Sequence, residues 1–263
     1  MMNMKFACVA AGVPGRNFAE QCAAIARADC GGVETIVFPD TPFERWQAEV
    51  RAAASDAGIE LVTVILGGLA LHRTGQDAYV RESMQAIAEL GARVLLTPEY
   101  AAQDPLPIFP PYPAAAAEEH ARVRAAMRTI GRSATELRCA VHVEPITQFE
   151  SRFCRSVADA AALCAAAESA HVSLVLDTHN MNITEASIVE SMRTVGDRIG
   201  HMHFADSNRL PPGHGHIPFG PILATLDELR YGGWISFECA FPGEFGATLR
   251  RCVEELRRSV EVL

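Results

Sequence analysis

No run of lysine or arginine occurs in this 263-residue chain; the basic residues are scattered, and the formal net charge is −9 with a pI near 5.5. A surface of that sign repels phosphate backbones, so no nucleic-acid partner is expected. Nowhere do apolar residues run to the ~20 that a membrane-crossing helix needs. The opening stretch MMNMKFACVAAG also lacks the layout of a secretory signal peptide. The expectation is therefore a cytoplasmic protein with no membrane partner. None of the eight cysteines, Cys8, Cys22, Cys30, Cys139, Cys154, Cys164, Cys239 and Cys252, falls in a C-x-x-C pair. That removes the signals for a zinc cage and for a dithiol redox motif. Several lie inside apolar segments and read as small buried residues in a reducing compartment.

Two further absences bear on the fold. No linker splits the chain. The turn after the first apolar run, Ala11–Gly15 (AGVPG), is not the Gly-rich phosphate turn that a doubly wound open sheet would want. What is present is alternation. Apolar runs over 6–10, 33–38, 59–66, 93–97, 139–145, 172–176, 199–204 and 234–239 predict eight strands. Between and after them, 18–28, 42–57, 77–90, 114–138, 156–167, 185–195, 218–230 and 245–260 predict eight helices. Near-continuous apolar strands are those of a parallel sheet buried on both faces. Eight such units in 263 residues predict an α/β fold, a single (β/α)8 TIM barrel over residues 1–263, with its site at the C-terminal ends of the strands. The segment 104-DPLPIFPPYP-113 would then lie on the catalytic face. It reads either as a rigid structural loop or as a loop that covers substrate or touches another subunit. That loop and the last helix are the candidate contacts of a homo-oligomer.

The last four predicted strands each end on a metal-ligating side chain: Glu144 in CAVHVEPI, Asp177 in VSLVLDTHN, His203 in IGHMHFADSNR and Glu238 in WISFECAF. Three carboxylates crowded into one cleft repel one another unless a cation joins them. Three oxygen donors and one imidazole, with room for water or substrate oxygens, suit one divalent ion, with Mn²⁺ preferred and Mg²⁺, Co²⁺ or Zn²⁺ as alternatives. Strand alternation also turns His142, His201 and Ser236 inward, one layer below these ends, where they read as supporting or core residues.

The stretches Glu144–Glu150 (EPITQFE), Asp177-Thr178 with Met181-Asn182-Ile183, His203–Arg209 (HFADSNR) and Gly213–Ile217 (GHGHI) resemble the xylose isomerase-like TIM barrels. Within them they are similar to the sugar isomerase/epimerase group that includes tagatose and allulose 3-epimerases and hydroxypyruvate isomerase. The resemblance covers the C-terminal half. It implies a metal on Glu144, Asp177, His203 and Glu238, and Glu144 and Glu238 as a catalytic acid/base pair. It also implies that Glu150 and Arg209 hold substrate hydroxyls. The group has histidine three residues after the metal-binding aspartate; here Asn180 stands there and the histidine is His179. Either of the two can face the substrate, according to whether the chain alternates or turns after Asp177.

The implied reaction removes a proton from carbon beside a carbonyl, with a cation stabilising the charge that develops. The expected substrate is a small sugar or hydroxy-oxo acid, unphosphorylated because no phosphate cradle is evident. Arg209 could instead pair with Asp206 or Glu238, and Glu150 could be a solvated helix-entry residue. His214 and His216 read as loop or oligomer-contact residues, or as extra ligands of a multi-metal site. Alternatives on the same scaffold are a dehydratase of the inosose dehydratase type and an endonuclease IV-like nuclease. The nuclease needs histidines after strands three, four and six; His72 and His179 qualify, but 97-TPEYA-101 has none.

Overall fold

A computed structural model describes residues 4–99 and 109–261. Residues 104–108 of the proline-rich loop thus lie outside the described residues. Eight parallel strands close a barrel in sequence order: β1 (Lys5–Val9), β2 (Gly32–Val37), β3 (Glu60–Leu66), β4 (Arg93–Leu96), β5 (Val141–Val143), β6 (Val172–Asp177), β7 (Ile199–Phe204) and β8 (Trp234–Phe237). β8 pairs with β1, so no strand edge remains open. Among the described residues nine α-helices surround them: α1 (Phe18–Arg27), α2 (Phe43–Ala57), α3 (Asp77–Glu89), α4 (Ala117–Leu137), α5 (Val157–Ala166), α6 (Thr178–Thr184), α7 (Ile188–Val195), α8 (Phe219–Glu228) and α9 (Phe245–Glu261).

Local chemistry explains most boundaries. Asn17 and Ser156 accept the N–H of the third residue of α1 and α5, so each helix starts on a side-chain cap. Gly58 ends α2 in the left-handed region at φ 68°, where glycine carries no Cβ penalty. The expected helix 185–195 is found as α7, and a further short helix, α6, precedes it. α6 begins directly after Asp177, and Glu185–Ser187 turn the chain into α7. Asn182 is inside α6.

The main core fills the space between strands and helices and includes the fully buried Phe204 and Phe237. Burying a side chain of that size contributes roughly 1.5–3 kcal/mol. Inside the barrel the layers differ in chemistry. Ala7, Val62 and Trp234 pack at the N-terminal end, and Val9, Ile65, Leu95 and Val175 form a second apolar group. Alternation along β8 places Trp234, Ser236 and Glu238 successively from the apolar end to the mouth. Between those ends lies a polar layer with Glu34, His142, His201 and Ser236, all buried. All eight cysteines are buried and unpaired. No helix among the described residues is long and apolar enough to cross a membrane.

Candidate metal centre and its surroundings

Glu144, Asp177, His203 and Glu238 converge at the C-terminal mouth, with one ligand atom from each lying within 4.8 Å of all the others. Each is placed by its strand. Glu144 extends β5 by one ladder bond, its N–H donating to the Leu96 carbonyl at 2.9 Å. Asp177 closes β6 and pairs in register with His203. The N–H of Glu238 donates to the Phe204 carbonyl at 3.2 Å, which joins it to the end of β7.

Asp177 both faces the cluster and caps α6. Its Oδ1 accepts the N–H of Asn180 at 2.9 Å, while its Oδ2 accepts from Arg209 at 3.0 Å. Thr178 fastens the helix start to β7, its hydroxyl donating to the Ala205 carbonyl at 2.7 Å and accepting the Ala205 N–H at 3.0 Å. The chain therefore turns at Thr178 and strand alternation stops there. Asn180 is buried and its Oδ1 accepts from the Arg209 guanidinium at 3.1 Å. His179 points to the β7 exit, where its Nδ1 lies 3.0 Å from the Asp206 carbonyl. Burial and the nearby Arg209 charge hold His179 below the ordinary imidazole range. Of the two residues left open by the sequence, Asn180 joins the cluster through Arg209. His179 joins the loop.

Arg209 bridges Asp177 and Glu238, the latter at 2.9 Å. It pairs with Glu238 and not with Asp206. Asp206 instead accepts the backbone N–H groups of Ser207, Gly213, Gly215 and Ile217 at 2.7–3.0 Å, gathering the loop on which Arg209 sits. A Cβ on Gly215 would strike the Asp206 carboxylate, so the loop needs glycine there. His214 and His216 serve that loop as well, their Nδ1 atoms lying near the Pro211 carbonyl (3.1 Å) and the Ser207 hydroxyl (2.9 Å). Glu150 is exposed at the mouth; its carboxylate accepts from the Thr147 hydroxyl at 2.8 Å, and its charge is felt at His179.

The electrostatics fit a cation. Burial, together with the charges of Glu238 and Glu144, pushes Asp177 up to about 8 despite Arg209 beside it. Burial also raises Glu144. Burial acts the same way on Glu238, but His203, Arg209 and the Asp177 hydrogen bond outweigh it and hold Glu238 down at about 2. Two carboxyls driven toward protonation beside a third form a site with surplus negative charge, a donor set matched to a divalent ion with open positions.

Below the mouth lies a residue that strand-end reading missed. Glu34, in the middle of β2, is fully buried. One of its oxygens accepts from His201 Nε2 at 2.7 Å and from the Ser236 hydroxyl; the other accepts from His203 Nε2 at 3.1 Å. Its signal in the sequence was a charge inside a strand that a barrel buries on both faces. Among the described residues two groups of ligating side chains form, the mouth cluster and Glu34–His201–His203, and His203 belongs to both. His142 is stacked 6.0 Å from His201 and its Nδ1 lies 2.8 Å from the Ser173 hydroxyl, as a core histidine should be placed. His72, a candidate for the nuclease reading, sits instead beside Glu99 and Arg152.

The sequence profile of the xylose isomerase-like TIM barrel matches residues 22–258. A D-psicose 3-epimerase of Agrobacterium fabrum is 29% identical over 196 residues, 73% of this chain and 68% of that protein. Another, from Enterocloster bolteae, is 31% identical over 115 residues, 44% of this chain and 38% of that protein, so the matched stretch spans well under half of that relative. The crystal structure of a 3-keto-D-glucoside 4-epimerase from E. coli superposes with a TM-score of 0.81 at 22% identity, covering 97% of this chain and 100% of the other. With its closed eight-stranded barrel and a profile match over nearly its whole length, the chain belongs to the xylose isomerase-like TIM-barrel family.

Proposed function

We propose that this chain is a divalent-metal-dependent epimerase or isomerase of a small, unphosphorylated keto-sugar or hydroxy-oxo acid, with Mn²⁺ the favoured ion. The observation that carries the reading is the convergence of Glu144, Asp177, His203 and Glu238 within 4.8 Å at the barrel mouth. The epimerases among its relatives support it. Glu144, Asp177, His203 and Glu238 would hold the ion. Once bound, it supplies a Lewis acid that polarises a carbonyl and offsets negative charge as a neighbouring C–H bond breaks.

The chain's own residues divide the remaining work. Glu144 and Glu238 come from β5 and β8, three strands apart around the closed barrel. A substrate lying between them meets a carboxylate on each face. One takes the proton and the other returns one, which is what inversion at carbon requires. Each carboxylate has two oxygens, so holding the ion and moving a proton are compatible. Arg209, fixed by Asp177, Glu238 and Asn180, donates to a substrate oxygen and biases its neighbours toward the ionised form. Glu150, exposed after β5, would accept from a substrate hydroxyl.

Deuterium exchange from solvent into a panel of ketoses and hydroxy-oxo acids, with and without Mn²⁺, tests the reading. The expected result is exchange at the carbon beside the carbonyl, dependent on metal. No exchange from any panel member with metal present would overturn the proposal.

A further inference from the structure

Glu34 belongs to β2, whose neighbours are β1 and β3, yet its carboxylate meets side chains of β7 and β8 across the barrel interior. A buried carboxylate in the middle of a barrel is unfavourable unless donors surround it. Glu34 has three: His201 Nε2, the Ser236 hydroxyl and His203 Nε2. The other nitrogen of His203, Nδ1, faces the mouth, 3.0 Å from Glu144 and 3.6 Å from Glu238. A neutral imidazole carries one N–H and one lone pair, and the partner of the N–H decides which nitrogen keeps the lone pair.

We propose that Glu34 is a positioning residue. By accepting the Nε2–H of His203 it fixes the tautomer and the ring orientation that present Nδ1 to a divalent cation at the mouth. This rests on the reading of His203 as a metal ligand. His201 and Ser236 hold the Glu34 carboxylate in turn, so the device spans three strands. The same atoms admit a competing arrangement, a second ion held by Glu34, His201 and His203. That arrangement requires the lone pair of His203 on Nε2, the opposite tautomer.

The test has two arms. Mn²⁺ affinity is read from the electron paramagnetic resonance signal of the free ion for the wild-type chain, Glu34→Gln and Thr63→Val. Thr63 pairs with Glu34 in register and its buried hydroxyl has no partner among the described residues, so it reports a general disturbance of the same layer. Glu34→Gln should weaken Mn²⁺ binding by about 10- to 100-fold, leave KM at saturating Mn²⁺ within about twofold, and leave the stoichiometry at one ion. Thr63→Val should bind as the wild type does. Equal weakening in both variants, or none in Glu34→Gln, overturns the inference while leaving the metal reading intact. A wild-type chain that binds no divalent ion overturns both.

The second arm needs no variant and stands even if Glu34→Gln fails to fold. In wild-type chain labelled with ¹⁵N-histidine and loaded with diamagnetic Mg²⁺, His203 should carry its proton on Nε2. A proton on Nδ1, or two ions per chain, overturns the inference.

Discussion

Two ionic clusters sit at the same end of this barrel and differ in balance. At the exits of β3, β4 and β5, Glu99 accepts the Arg152 backbone N–H at 2.9 Å and its guanidinium at 2.9 Å, and Arg152 reaches on to Glu119 at 3.4 Å. His72 lies against the same guanidinium, and Arg122 donates to the His72 carbonyl at 2.6 Å. That cluster is closed; the cations it needs are built into the chain. At the exits of β5 to β8, Glu144, Asp177 and Glu238 share one arginine and one imidazole, and Glu34 below claims the other side of that imidazole. The first cluster pins loops together. The second is short of positive charge, and that shortage is what the proposed cation would make good.

The contrast can be broken in four ways. The largest effect is expected from Glu144→Gln and Glu238→Gln, each lowering metal-dependent deuterium exchange by about 10³-fold or more, within the range of a lost acid/base group. A variant that keeps the full rate removes that residue from the pair. Second, Arg152→Ala leaves the Glu99 carboxylate buried without its partner. Because the Arg152 side chain is 22% exposed, the loss should fall at the low end for a broken buried pair, about 3 kcal/mol by urea unfolding. Mn²⁺ affinity should stay unchanged; if it falls as well, the two clusters are one unit. Third, Mn²⁺ at a hundred times its dissociation constant should stabilise the chain by about 2.7 kcal/mol, removable with chelator, because the ion binds only the folded site. An unfolding midpoint indifferent to Mn²⁺ contradicts the shortage of charge. The smallest effect belongs to Asn180→Ala. Losing one hydrogen bond to the Arg209 guanidinium should cost about 1.5 kcal/mol, roughly tenfold in kcat/KM, with Mn²⁺ affinity retained. A fall in metal affinity of the same size would instead make Asn180 part of the metal centre.

The barrel was legible because strands buried on both faces read as apolar runs, and the four residues that meet at the mouth because each ends such a run. The rest was hidden for particular physical reasons. α6 begins at the residue after Asp177, so no gap separates strand from helix, and THNMNIT carries little helical propensity; the Asp177 cap starts it. Whether His179 or Asn180 turned inward depended on that start, since strand alternation and helical rotation give opposite answers. Glu34 lay mid-strand and made its contacts across the barrel with β7 and β8, a relation that strand-end reading does not supply. His72, Glu99 and Arg152 meet from three separate loops. Nor does the sequence show that the 207–217 loop is gathered on a single carboxylate, Asp206.

The buried cysteines give the barrel a property of their own. They lie in β1, α1, the turn before β2, the approach to β5, the loop before α5, α5 itself, the exit of β8 and α9. Burial raises the thiols of Cys22, Cys139, Cys164 and Cys239 out of the reactive range. A thiol reagent therefore waits for the fold to open, and the residue labelled first marks the part that opens first. Cys239 follows Glu238 in the chain, whereas Cys22 is buried within α1 in the main core. The ratio of their labelling rates, with and without ion, would be a clock for local opening at the mouth against breathing of the whole barrel.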